Sequence, residues 1–175
     1  MSVTVRDATA ADLPAITAIY GHHVLHGAGT FEEVPPSEAE MAGRVAAVQQ
    51  AGFAWLVATD EAGAVLGYGY YAPFRPRSAY RYTAENSVYV RDDIRGQGVG
   101  KALVAELLAR AEAKGIRQMV AVIGDSENAG SIGLHASLGF RQVGVLKAVG
   151  LKFGRWVDVV QMQKALGEGE RTLPG

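Results

Sequence analysis

The residues best placed for chemistry are Arg95-Gly96-Gln97-Gly98-Val99-Gly100-Lys101, set between the β-branched and aromatic run Ser87-Val88-Tyr89-Val90 and the apolar-periodic stretch from Ala102 to Leu108. A glycine-rich turn between strand and helix presents backbone N–H groups that have no intrahelical acceptor. Such a turn holds an anion, most often a phosphate. Glycine lets the backbone approach closely because no Cβ intervenes, and Arg95 and Lys101 add positive charge at its two ends. Two common phosphate loops fail on spacing. In a Walker loop the Gly-Lys pair is followed by Ser or Thr, but here Gly100-Lys101 is followed by Ala102, and Arg95 stands where the first glycine belongs. No hydroxyl is offered to Mg²⁺. The dinucleotide fingerprint is met by Gly96 and Gly98 but ends on Lys101 instead of glycine.

The elements around this loop follow from periodicity. Val3–Arg6 reads as a strand, and Asp12 is a candidate cap for a helix with Pro14 in its first turn. Ser37 and Glu40 form a capping box for a second helix that runs to about Gln50. Phe53–Ala58 and Val65–Tyr71 pair as strands across the turn at Asp60–Gly63. Residues 73–78 form an irregular loop, and Glu85–Val90 is the strand leading into the glycine turn. The following helix ends on Lys114-Gly115. Met119–Ile123 is nearly all apolar, as suits a strand buried on both faces. A short helix, Gly130–Leu138, ends at Gly139, and strands follow over Phe140–Val149 and Trp156–Met162. The predicted order is β-α-α-β-β-β-α-β-α-β-β.

Bulk properties narrow the function. The chain has 175 residues, of which 49% are hydrophobic and 20% charged, which fits one globular domain over residues 1–166 with a polar, disordered tail over 167–175. A net charge of −1 does not point to nucleic acid. No apolar run is long enough to span a bilayer, and the first residues lack a signal-peptide core. The absence of cysteine excludes disulfides and a cysteine nucleophile. A cytoplasmic protein with no nucleic-acid or membrane partner is expected. His22 and His26 share a helix face as metal ligands would, but nothing in the sequence completes the site, and no metal is expected.

A third phosphate pattern fits in full: Arg95-x-x-Gly98-x-Gly100 resembles the coenzyme A pyrophosphate loop of the GNAT superfamily of N-acetyltransferases. The resemblance covers residues 3–165 and extends to further motifs. These are Ala79-Tyr80, Thr83-x-Glu85, Val88-Tyr89-Val90, Asn128-x-x-Ser131-x-x-x-His135 ahead of Leu138-Gly139-Phe140, and Gly150-Leu151-Lys152-Phe153-Gly154-Arg155-Trp156-x-Asp158. Together they are similar to the phosphinothricin and methionine sulfoximine acetyltransferase branch. His135 stands where the superfamily at large carries tyrosine.

The resemblance implies an α/β (α+β) fold: a mixed, mostly antiparallel sheet flanked by helices and splayed where acetyl-CoA enters. It implies that Arg95–Lys101, Asn128 and Ser131 hold the cofactor, while Val88, Tyr89 and Val90 pair with its pantetheine amides. Glu85 would accept the proton that an ammonium must lose before attack, directly or through a water. The alternative for Glu85 is an ion pair with Arg75, Arg77 or Arg81. His135 would protonate or hydrogen-bond the departing thiolate, or else pack on its helix. Arg75, Arg77 and Arg81 suit a carboxylate or phosphinate, with Phe74, Tyr80, Tyr82 and Thr83 beside them; the plainer reading is a solvated basic loop. One of the first-helix histidines, or Phe31, would touch substrate. A backbone N–H near Val90 would stabilise the oxyanion, and the segment around Lys152–Trp156 would build a homodimer. The function implied is acetyl transfer to a small amino acid or analogue. The alternatives are another amine (a polyamine, an aminoglycoside, a peptide N-terminus) or a coenzyme A-binding sensor without turnover.

Overall fold

The computed structural model describes residues 1–175. The strands are β1 (Thr4–Asp7), β2 (Trp55–Thr59), β3 (Val65–Pro73), β4 (Thr83–Val90), β5 (Gln118–Gly124), β6 (Arg141–Lys152) and β7 (Arg155–Ala165). The helices are α1 (Leu13–His26), α2 (Glu38–Gln50), α3 (Val99–Ala113) and α4 (Ala129–Ser137). Their order is the predicted one, though β6 and β7 are longer than the sequence suggests because they pair across a tight turn at Phe153-Gly154.

All strands join one seven-stranded sheet in the order β1-β2-β3-β4-β5-β7-β6. Every neighbouring pair is antiparallel except β4 and β5. The parallel pair is short: it runs from Thr83 opposite Gln118 to Asn86 opposite Ala121 and stops. Beyond it Ser87–Val90 keep only β3 as a neighbour, while Val122–Gly124 keep only β7. The sheet therefore opens at its centre into a wedge.

Two cores hold the sheet. On one face α3 packs Val99, Leu103, Val104, Leu107 and Ala111 against Leu56, Leu66, Ala84 and Met119. Full burial of each such leucine contributes about 1.5–3 kcal/mol. Gly69 lets α3 lie directly on β3, since a Cβ there would sit 3.0 Å from Ser87 O and 3.1 Å from Leu107 Cδ1. On the other face α1 and α2 cover Trp55, Val57 and Tyr68.

Local signals held in part. The Ser37–Glu40 capping box forms as expected. Asp12 does not cap α1: its carboxylate accepts from Arg6 Nη1 and Nη2 at 2.8 and 2.9 Å and from Thr9 N–H, so it locks a 3₁₀ turn onto β1. Val122 is exposed, not buried, because its side chain reaches the wedge. The segment expected to be a disordered tail is held by hydrogen bonds: Arg117 Nη1 donates to Gly169 O and Thr172 O, and Gly167 N–H to Glu112 Oε1.

Candidate active site

The wedge is a cleft of about 1020 Å³ with α3 at one end, α4 along one side and the loop after α1 along the other. At its phosphate end Gly96 and Gly98 have φ of +76° and +82°. This is the left-handed region that glycine enters without strain. The first intrahelical bond of α3 is Ala102 N–H to Gly98 O, so the amides from Gly96 to Lys101 have no backbone acceptor. They form an anion cradle reinforced by the helix dipole. Arg95 is braced by Asp92 at 3.0 Å and lines the cleft with Lys101, whereas Gln97 lies outside it.

Strand β4 presents two chemistries because its backbone alternates. Arg91 N–H donates to Leu66 O, and Phe74 N–H to Thr83 O, so the odd-numbered residues of β4 turn their amides toward β3. The amides of Val88 and Val90 point the other way, into the wedge, free to pair with an extended ligand as a strand would. Tyr89 was expected to join them, but its amide belongs to the β3 ladder. One acceptor is already used, since His23 Nε2–H donates to Val90 O at 2.7 Å.

Side chains alternate in the same way. Asn86, Val88 and Val90 face α3 and α4, whereas Glu85, Ser87 and Tyr89 face the α1–α2 side. His135 on α4 is buried: Nδ1 lies 2.8 Å from Ser131 O, and Nε2 lies 3.0 Å from Asn86 Nδ2. A carbonyl only accepts, so Nδ1 carries the proton and Nε2 accepts from the Asn86 amide. Burial also holds the ring's pKa below its usual value, opposed only by the bond to Ser131. A neutral ring with its one proton committed to a carbonyl has none to give a thiolate, so the acid role expected of His135 does not fit. Asn128 caps α4, its Oδ1 accepting from Ser131 N–H at 3.2 Å, which leaves Nδ2 for a ligand.

Glu85 has no ion-pair or hydrogen-bond partner, so the ion pair considered for it does not form. Burial raises its pKa, and the Arg75 charge opposes the rise. Arg75 stacks on Phe74 at 4.5 Å, and Phe74 meets Tyr80 edge-on at 5.8 Å. Arg81 turns away, with its guanidinium over Tyr82 and Nη1 donating to Ser78 O. Arg77 precedes a 3₁₀ turn over Ser78–Tyr80 and makes no ion pair. Of these arginines, Arg75 is the one whose charge reaches Glu85. Thr83 begins β4 on the Glu85 face.

This arrangement brings an anion cradle, a strand edge and an unpaired carboxylate together along one strand. Residues 5–161 match the family model described as Acetyltransferase (GNAT) domain. The chain belongs to the GNAT acetyltransferases. It is 56% identical to a phosphinothricin N-acetyltransferase of Alcaligenes faecalis over 171 residues, covering 98% of this chain and 86% of that protein. It is 48% identical to an L-methionine sulfoximine/L-methionine sulfone acetyltransferase of Pseudomonas paraeruginosa over 99% of this chain and 100% of that one. Its fold superposes with a TM-score of 0.97 on a GNAT superfamily phosphinothricin acetyltransferase from Sinorhizobium meliloti in complex with AcCoA, which is 52% identical with 100% of this chain and 94% of that chain covered.

Several residues shape this GNAT site in ways that their motifs did not disclose. The loop after α1 is fixed by Lys152, buried on β6, whose Nζ donates to Gly27 O and Thr30 O at 2.8 Å each. Gly124 allows the loop to close on β5, for a Cβ there would collide with Ala28 O. Asp125 leaves β5 with φ +78°, held by Arg155 Nη2 at 2.7 Å and by its own N–H to Asp158 O. The Asp158 carboxylate accepts from Ser126 Oγ, Lys147 Nζ and Ala148 N–H, which hold its pKa down at about 2. That network seats the turn carrying Asn128. The His22 and His26 rings lie 4.7 Å apart, tilted by 45°, beside the cleft, and no group of three or more His, Cys, Asp or Glu side chains is arranged to hold a metal.

Proposed function

We propose that this chain transfers acetyl from acetyl-CoA to the α-amine of a small amino acid or amino-acid analogue such as methionine sulfoximine or phosphinothricin. The observation that carries the reading is the adjacency, on β4, of an unpaired half-buried Glu85 to the point where the strand leaves β5 and frees the amides of Val88 and Val90. The cleft fits the co-substrate. The amides of Gly96–Lys101, with Arg95 and Lys101, suit its pyrophosphate, Val88 and Val90 suit the pantetheine amides, and Asn128 Nδ2 and Ser131 border the same path.

Bound acetyl-CoA supplies an activated acyl carbon. Glu85, made more basic by burial, accepts the ammonium proton directly or through a water. As the N–C bond forms, an N–H aimed into the wedge donates to the carbonyl oxygen that gains charge. Val88, nearer Glu85 than Val90, is the better placed. The C–S bond then breaks, coenzyme A leaves as the thiolate, and the nitrogen's second proton passes to solvent. With no cysteine in the chain, transfer is direct within a ternary complex.

Arg75, stacked on Phe74 near Glu85, is the residue assigned to the substrate carboxylate, with Tyr80, Arg77, Arg81 and Thr83 lining the approach. A polyamine would find cations around that base instead of carboxylates. A cytoplasmic location follows from the co-substrate, an intracellular metabolite. We assign a homodimer because β6 is an edge strand, and Val149, Leu151, Phe153 and Trp156 on the β6–β7 hairpin are exposed. An apolar edge of this kind is a surface for a second chain. Trp156→Asp should shift the protein to monomers in sedimentation; an unchanged oligomer defeats the assignment.

The function is tested by thiol release from acetyl-CoA with L-methionine sulfoximine, phosphinothricin, spermidine and a peptide with a free N-terminus assayed in parallel. Turnover with the first two alone is expected. Turnover only with the polyamine or peptide refutes the amino-acid reading. Binding of acetyl-CoA without turnover of any amine would leave a sensor domain.

A further inference from the structure

Asn86 sits at the apex of the wedge, opposite Ala121 in the last pair joining β4 to β5, and lines the cleft. It is 4% exposed, and its Oδ1 has no hydrogen-bond partner, although buried acceptors are almost always satisfied. Its orientation is dictated by its neighbours. Ser131 O accepts, so His135 Nδ1 must donate. The neutral ring's Nε2 must then accept, and the group that gives to it is Asn86 Nδ2. The amide is left with one direction: Nδ2 toward the ring and Oδ1 away from it. A flipped amide would set Oδ1 against the Nε2 lone pair. The chain of polarity therefore runs from a backbone carbonyl through a buried imidazole to a buried, unpartnered acceptor on a residue that lines the cleft.

We propose that Asn86 binds coenzyme A through Oδ1, accepting a hydrogen bond from the thiol end of the molecule, and that His135 is the positioning residue that fixes the amide for this task. The inference rests on the acetyl-CoA reading above. Asn86 lies roughly 13 Å along the strand from Val90, at about 3.3 Å per residue, and the phosphate cradle lies beyond Val90. The base Glu85 is the preceding residue. The apex is therefore the reactive end of the path, not the nucleotide end. A carboxamide oxygen there takes a donor and repels an anion. The donor is either the last pantetheine amide N–H, present in substrate and product alike, or the S–H of the released thiol, present in the product alone. In either case Oδ1 acts as an acceptor and cannot serve as an oxyanion donor.

The test is calorimetric titration of the whole enzyme and of Asn86→Leu with coenzyme A, acetyl-CoA and dethio-coenzyme A. Loss of one buried hydrogen bond predicts an increase in Kd of about tenfold. An increase for all three ligands identifies the amide N–H as the donor. An increase for coenzyme A alone identifies the thiol. Changes below about twofold for every ligand overturn the proposal, whereas a wild-type protein that binds none of them overturns the acetyl-CoA reading itself. Nitrogen-15 NMR of the wild type makes the test independent of the variant's folding. His135 should carry its proton on Nδ1, and the Asn86 side-chain amide should shift on adding coenzyme A. A proton on Nε2, or an unmoved amide, overturns the proposal.

Discussion

Replacing Glu85 by Gln keeps the shape of the side chain and removes the base. The carboxylate is half-buried without a partner, and Arg75 acts on it only through its charge. The substitution therefore breaks no ion pair and opens no cavity. A positioned general base contributes ~10²–10⁴ in rate, which is about 3–5 kcal/mol of transition-state stabilisation. Glu85→Gln should lower kcat/KM by that factor in a thiol-release assay with saturating acetyl-CoA. The acid limb of the pH profile should vanish as well. In the wild type that limb reports Glu85 ionising above its ordinary value, with activity lost as pH falls through it. Stability should respond in the opposite sense. A pKa raised by burial means that the neutral carboxyl is the form the fold favours. Its stabilising contribution is full below the unfolded-state pKa and is lost as pH rises through the folded one. At neutral pH the ionised side chain weakens the fold, so Glu85→Gln should melt no lower than wild type. Full activity across pH in the variant would refute the assignment of the base. Lost activity with a depressed Tm would mean that the residue is structural.

Arg75→Gln should raise KM for the amino acid about tenfold, as loss of a charge-assisted bond requires, with the acetyl-CoA KM unchanged. It should also move the acid limb to higher pH, because the cation that opposes the rise of the Glu85 pKa is gone. Gly98→Ala places a Cβ on a residue at φ +82° where space is open, so its cost is conformational, about 1–2 kcal/mol; titration should show weaker acetyl-CoA binding. Asp158, held at about 2 by Lys147, Ala148 and Ser126, contributes stability that is full above its unfolded value and lost as pH falls toward 2. Urea unfolding of Asp158→Asn should show a shallower loss across that window than wild type. Leu103→Ala, in the fully buried core under α3, should cost about 2–5 kcal/mol in denaturant unfolding without changing which amines are acetylated.

The order of elements and the glycine turn ahead of α3 were legible from the sequence because each depends on local chemistry, whereas Glu85 was singled out by family resemblance. Glycines at fixed offsets admit positive φ, a capping box satisfies its own helix end, and β-branched runs alternate with helical periodicity. What failed were statements about partners distant in sequence. Asp12 looked like a cap and became a partner of Arg6 because β1 lies beside it. Val122 looked buried and is exposed because its strand loses a neighbour halfway along. His135 looked like an acid until Ser131 O and Asn86, the latter 49 residues away, took both its nitrogens. Tyr89 lines the cleft, but the register with β3 claims the amide expected to pair with the cofactor. By itself the sequence determined which groups the chain owns and which short segments fold around them. The tertiary structure decided which of those groups remain unpaired, since hydrogen-bond capacity is spent across the sheet on whatever the register brings into reach. Along the cleft the unpaired groups include Glu85, the Val88 and Val90 amides, the Gly96–Lys101 amides and Asn86 Oδ1.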